Sequence, residues 1–270
     1  MAILATVTLP WVVTSDCAYA QGTTQRQARG WLGITMTERP GGVVVVDEVT
    51  PDSPAQTARL APGDIIVRVN NTPVFSAREM SNLVGSQPPG SVVQLVVSRN
   101  GTTYTTSATL EPFPEGDQLP RKLFVGKLAL AVADLVTMSG EPGPTLESFR
   151  GKVVVFEFWS SFCRACRHCT PTLNAWHRRY AKLGLHVVGI ASEPATTVAS
   201  SAPRFGIEYA AYADPEGTTS AAYRARALPT IVVVDRSGVV RDVATGYDPV
   251  RMREIETLVV SLLAQPTAVR

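Results

Sequence analysis

A pair of cysteines, Cys163-Arg164-Ala165-Cys166, constrains this 270-residue chain more than any other feature. It follows an unbroken apolar run, Val153-Val154-Val155-Phe156, and it precedes helical spacing that continues from Cys166 to Lys182. A continuous apolar run reads as a strand buried on both faces. The order strand, C-x-x-C, helix places Cys163 at a helix N-terminus, where the aligned peptide dipoles favour a thiolate. Cys166 comes one turn later on the same face and can attack a mixed disulfide formed at Cys163. Arg164 and Arg167 add positive potential. Cys163, Cys166 and Cys169 are three of the chain's 4 Cys, so the cysteines are concentrated at one place instead of stapling the whole chain.

The length suits two domains, and a hydrophobic fraction of 45% permits a sizeable core. Charged residues make up 18%, which argues against a coiled coil or an acidic tail. The net charge of +2 gives no footprint for nucleic acid. The pattern also divides in two. Val43 to Val49, Asp64 to Val69, Val92 to Ser98 and Thr102 to Leu110 read as strands, and Ser76 to Val84 as a short helix. A Pro-rich, charged linker is expected over 111–122, between a first domain at 30–110 and a second at 123–264. In the second, His186 to Ala191 is another buried run. Thr230 to Val234 and Val239 to Ala244 flank a hairpin turn, Asp235-Arg236-Ser237-Gly238. Asp248 caps a final helix that ends near Leu263.

Met1 to Val13 is apolar and too short to cross a bilayer. The small-x-small sequence Ala18-Tyr19-Ala20 follows it, so residues 1–20 are expected to be a secretory leader cut after Ala20. No Lys or Arg precedes the apolar run, which leaves an uncleaved N-terminus as the alternative. With the leader removed, the chain is expected in the periplasm or secreted, with or without a membrane tether, where disulfides persist. Residues 21–29 are polar.

In the first domain, Asp52-Ser53-Pro54-Ala55 leads to Leu60-Ala61-Pro62-Gly63-Asp64-Ile65-Ile66 and then to Val69-Asn70; Gly30-Trp31-Leu32-Gly33-Ile34 lies upstream. Together these residues closely resemble a bacterial PDZ domain of the type attached to periplasmic proteases. The resemblance implies an α+β, sandwich- or barrel-like fold. It also implies that Trp31, Leu32, Gly33 and Ile34 present backbone N–H groups to the terminal carboxylate of a protein or peptide partner, without any Lys or Arg. The peptide would add a strand beside the one starting at Ile34. Met80 and Leu83 would line the side-chain pocket, or else serve as ordinary core residues.

In the second domain, Phe149-Arg150-Gly151-Lys152-Val153 before the cysteines, Pro171 after them, and Ala227-Leu228-Pro229-Thr230 with its strand and turn are similar to the extracytoplasmic TlpA/ResA-like branch of the thioredoxin superfamily. This implies an α/β fold, with a central mixed sheet flanked by helices, and a thiol–disulfide oxidoreductase acting on protein thiols and disulfides. Cys163 would be the nucleophile and Cys166 the resolving thiol. Pro229, cis in the family, and Leu228 would hold the substrate strand. Glu157 would move a proton to or from Cys166, with a pKa raised by burial, unless it lies solvated at an edge. Relatives often carry Glu where Cys169 stands. Cys169 is either an accessory thiol or a small buried hydrophobe. No dissociable cofactor or metal is implied, and a membrane reductant would recycle the pair in a reductase. Two other functions compete: a redox-inactive binding scaffold, and a metallochaperone using Cys163, Cys166 and Cys169. The three His form no nucleophile–base arrangement.

Overall fold

The computed structural model describes residues 28–265. The leader, Cys17 and the polar stretch as far as residue 27 lie outside the described residues. No helix among the described residues is long and apolar enough to cross a membrane.

The first unit runs in chain order through β1 (Gly30–Trp31), β2 (Ile34–Arg39), β3 (Val43–Val49), α1 (Pro54–Thr57), β4 (Ile65–Val69), β5 (Thr72–Pro73), α2 (Ala77–Gly85), β6 (Val92–Arg99), β7 (Thr102–Thr109) and β8 (Glu111–Pro112). Six strands form one sheet in the order β2-β3-β4-β6-β7, with β5 beside β4. Val44 and Val46, one face of β3, meet Val93, Leu95 and Val97 of β6 in the core. β6 shows the period-two burial expected of a strand with one covered face, whereas in β3 Val45 is buried as well. Ser53 and Ser76 accept backbone N–H bonds as N-caps of the two helices. Buried Asp64 accepts the Ala61 N–H at 2.9 Å and two bonds from Arg99 at 2.7 and 2.8 Å. Burial pushes its carboxyl up, but the bonds from Arg99, Ala61 and Tyr104 outweigh that and hold it below the ordinary range.

The segment read as a linker is folded. β8 pairs antiparallel with β1, Gly30 opposite Pro112 and Trp31 opposite Glu111. The next helix, α3 (Gln118–Phe124), buries Leu123 and Phe124 in the core of the second unit. Arg121 binds Asp242 at 2.5 Å, and Arg251 reaches back to Asp117 at 3.1 Å.

The second unit continues with β9 (Val153–Trp159), α4 (Arg164–Tyr180), β10 (Leu185–Ala191), α5 (Ala195–Phe205), β11 (Ala210–Ala213), α6 (Thr218–Ala222), β12 (Thr230–Val234), β13 (Val240–Thr245) and α7 (Pro249–Ala264). Its sheet order is β11-β10-β9-β12-β13. β9, β10 and β11 are parallel, and β12 and β13 are antiparallel additions. The chain is therefore a PDZ-like sheet domain followed by a thioredoxin-like mixed sheet with helices. β9 is central and buried along its whole length. Phe156 and Phe158 face Tyr223 on one side. Val153 and Val155 pack with Leu173 and Trp176 of α4 on the other, the side that Glu157 shares by alternation.

Candidate active site and peptide groove

β9 ends at Trp159, and the three residues that follow turn the chain into α4. Cys163 is the N-cap of that helix, and its Sγ accepts the backbone N–H of Cys166 at 3.1 Å. This puts the sulfur where a helix start stabilises negative charge. Cys163 and Cys166 are joined as a disulfide, with Cα atoms 5.4 Å apart. They differ in exposure: Cys163 is 9% exposed and Cys166 is 0%. Phe162, immediately before them, is 82% exposed. Of the two, only Cys163 keeps any exposed surface, beside the exposed Phe162, while Cys166 is enclosed.

Glu193, in the loop after β10, accepts both the backbone N–H and the hydroxyl of Ser161 and so clamps the turn before Cys163. Trp159 packs against Phe205 at 5.2 Å, and the Arg167 guanidinium lies 4.7 Å from the same ring. Leu228 packs against the cluster that contains Trp159, Cys163 and Cys166, and the Leu228–Pro229 bond is cis. Cys163, Cys166 and Leu228 are therefore brought together, with Pro229 next in the chain.

Glu157 is fully buried on the α4 side of β9. The Tyr209 hydroxyl donates to its Oε2, while Oε1 has no hydrogen-bond partner. Burial pushes its carboxyl up to about 7, and the Tyr209 bond opposes that rise. Cys169 is wholly buried with Leu173 and Trp176. Burial, and then the charge of Glu157, push its thiol far up, so it stays protonated at neutral pH. His186 packs against Phe149 at 6.2 Å; burial, Lys152 and His177 lower its pKa. Among the described residues, no group of three or more His, Cys, Asp or Glu side chains is placed to hold a metal ion.

In the first unit β2 is the outermost strand, and one edge is left unpaired in the sheet. A groove of about 240 Å³ lies between β2 and α2. Trp31, Leu32, Gly33 and Ile34 line it, as does Met80. The Leu32 carbonyl accepts Ala55 N–H and the Gly33 carbonyl accepts Thr50 N–H, each at 2.8 Å. In a trans peptide the next N–H points opposite to the carbonyl, so these bonds turn the Gly33 and Ile34 N–H groups away from Thr50 and Ala55. Leu83 is half-buried against the core, and α2 offers Ser81 and Val84 to the groove instead. Rows of residues four apart share a helix face, so Val84 stands above Met80. Sequence reasoning also missed Arg29, Met36, Phe113 and Leu119 among the lining residues. Arg29 puts a cation at the groove, beyond the nest of N–H groups that the resemblance implies.

Two family models match the chain: the PDZ domain over residues 30–110 and the AhpC/TSA family over 134–243. A thiol-disulfide oxidoreductase ResA from Geobacillus kaustophilus is 31% identical over 102 residues, which cover 37% of this chain and 59% of that protein. The serine endoprotease DegS from Escherichia coli is 36% identical over 100 residues, covering 33% of this chain and 28% of that protein. Among solved structures, a thiol:disulfide interchange protein DsbE from Chlorobium tepidum is 26% identical, covers 52% of this chain and 98% of its own, and has a TM-score of 0.48. The chain thus matches 59% of the length of its redox relative and 28% of its protease relative.

Proposed function

We propose that this chain, a PDZ domain followed by a thioredoxin-like domain, is an extracytoplasmic thiol–disulfide oxidoreductase whose PDZ groove recruits a partner by its C-terminus. The observation that carries this reading is the asymmetric pair at the start of α4: an accessible Cys163 and an enclosed Cys166 already joined. Starting from the dithiol, the Cys163 thiolate attacks a substrate disulfide. A Cys163–substrate S–S bond forms, and the substrate's other sulfur leaves as a thiolate. Cys166 then gives its proton to the Glu157 carboxylate and attacks Cys163 Sγ. The intramolecular disulfide forms, the second substrate thiolate is released, and two electrons have passed from protein to substrate. In reverse, protonated Glu157 supplies the proton to the departing Cys166 thiolate. A carboxyl that titrates near 7 can serve both directions at neutral pH. Leu228, packed against the cluster that holds both cysteines, and Pro229 after it hold the substrate strand. A membrane-borne reductant returns the oxidised pair to the dithiol. Cys169, enclosed and protonated, takes no part in exchange.

Insulin reduction in the presence of excess dithiol tests the reading. The full chain is expected to accelerate it well above the dithiol alone; no acceleration would leave a redox-inactive scaffold as the better description.

At the groove, the Gly33 and Ile34 N–H groups and Arg29 receive a terminal carboxylate, while Met80 and Val84 accept an apolar last side chain. A peptide with a free apolar C-terminus is expected to bind about tenfold or more tighter than its amidated form, the loss of one charged hydrogen-bonded group. Arg29→Ala is expected to weaken binding and flatten its salt dependence. Calorimetric titration at two ionic strengths measures both effects, and equal affinity for the two peptides contradicts the carboxylate nest.

A further inference from the structure

We propose that Tyr209 is the positioning residue for Glu157, and that Gly189 makes the space through which it acts. The inference rests on the reading of Glu157 as the proton-transfer group for Cys166. Glu157 on β9 is opposite Gly189 on β10. Any side chain there would fill the layer between sheet and helix. A Cβ on Gly189 would stand 3.3 Å from Tyr209 Cε2 and 3.1 Å from Trp159 Nε1. The missing Cβ therefore lets two rings lie over β10, one from the end of β9 and one from the residue before β11. The Tyr209 ring crosses above Gly189, and its hydroxyl reaches Glu157 Oε2. This leaves Oε1 as the oxygen with open valence, the one able to exchange a proton.

The surroundings make this single bond matter. With Cys166 held in the disulfide, the titratable groups that face Glu157 are Tyr209 and, from α4, Cys169. β12 presents Ile231, and α7 presents Met252, Ile255 and Val259 to this layer. Tyr209 is itself held as a neutral phenol, its own pKa pushed far up by burial and then by Glu157. It thus keeps the proton that it donates to Glu157. A donor to a buried carboxylate favours the charged form, and it opposes the burial that would otherwise leave Glu157 protonated and unable to accept the Cys166 proton.

The test compares Tyr209→Phe with Glu157→Gln in the full chain. The carboxyl titration is followed by infrared difference spectroscopy on the oxidised protein, where Cys163 and Cys166 do not titrate. The pH profile of insulin reduction is measured in parallel. Tyr209→Phe is expected to move both the carboxyl titration and the profile upward by about one pH unit, with a rate loss at pH 7 that is recovered at higher pH. A ring kept for packing alone would leave the titration where it is. Glu157→Gln is expected to remove the infrared titration and flatten the profile. If Tyr209→Phe leaves the titration unmoved while Glu157→Gln flattens the profile, the inference fails and the reading of Glu157 stands. If Glu157→Gln leaves the profile unchanged, that reading fails and takes the inference with it. Gly189→Ala crowds the same ring from the strand and is expected to shift the titration in the same direction. An unmoved titration there overturns the part assigned to Gly189.

Discussion

Cys163→Ser is expected to bring insulin reduction down to the rate of the dithiol alone, the largest loss of any single substitution in this chain. The hydroxyl keeps the N-cap bond to the Cys166 N–H, so α4 still starts in the same place, but it cannot form the covalent bond to a substrate sulfur. Cys166 does not rescue the variant, because it is completely enclosed and cannot be reached by a macromolecular disulfide. Cys166→Ser is expected to act differently. The outer thiolate still attacks, but nothing releases the product, so mixed disulfides between Cys163 and substrate persist. The insulin assay reads the first result, and non-reducing electrophoresis with mass spectrometry reads the second. Activity near the parent level in Cys163→Ser removes the assignment of the nucleophile. Mixed disulfides on Cys169 in either variant would show that the third thiol is less enclosed than its burial among Leu173 and Trp176 implies.

Gly33→Ala is expected to eliminate C-terminal peptide binding and to destabilise the first domain. Gly33 has φ of +89°, a conformation that L residues resist, at a cost of about 1–3 kcal/mol. The contact is worse than the dihedral. A Cβ there would lie 2.3 Å from Ser53 Cβ and 2.6 Å from Ser53 Oγ, so the backbone must move. The Gly33 carbonyl bond to Thr50 and the Leu32 carbonyl bond to Ala55 orient the N–H groups of the groove, and both are set by this backbone. Peptide titration combined with thermal unfolding distinguishes the two effects. Binding at parental affinity with a parental melting temperature would contradict the role given to this loop.

The parts of the chain legible in the sequence are those whose signal is local. The apolar run of β9, the helical spacing of α4 and the cysteine spacing between them are each contained in a few neighbouring residues, and together they predict a buried strand feeding a dithiol at a helix start. The Asp248 cap and the turn after β12 are equally local. The missing parts depend on distant partners. Glu193 clamps Ser161 from 32 positions away, and Tyr209 meets Glu157 from 52 positions away. Nothing in either neighbourhood marks these residues. α5 is built largely from Thr, Ser and Ala with Pro203 inside it, a composition that reads as loop as readily as helix. Whether Leu83 lines the groove or packs in the core, the two readings its spacing allows, is a matter of helix phase, which packing against the core decides. Pro and charge over 111–122 read as a loose tether because composition does not reveal that β1 would pair with β8, or that Leu123 and Phe124 would be buried.

That connector changes what joining two modules accomplishes. A supple tether raises the local concentration of any captured partner, whatever its shape, because its ends sample many separations. Here β8 is sewn to β1 at one end, and α3 is held at the other by the Arg121–Asp242 and Arg251–Asp117 pairs. Leu119 of α3 even lines the groove between β2 and α2. On the proposed function, a tail held at the groove and the sulfur of Cys163 would then be separated by a fixed span instead of a range of separations, so the two modules would act as a calliper on any client that both engage.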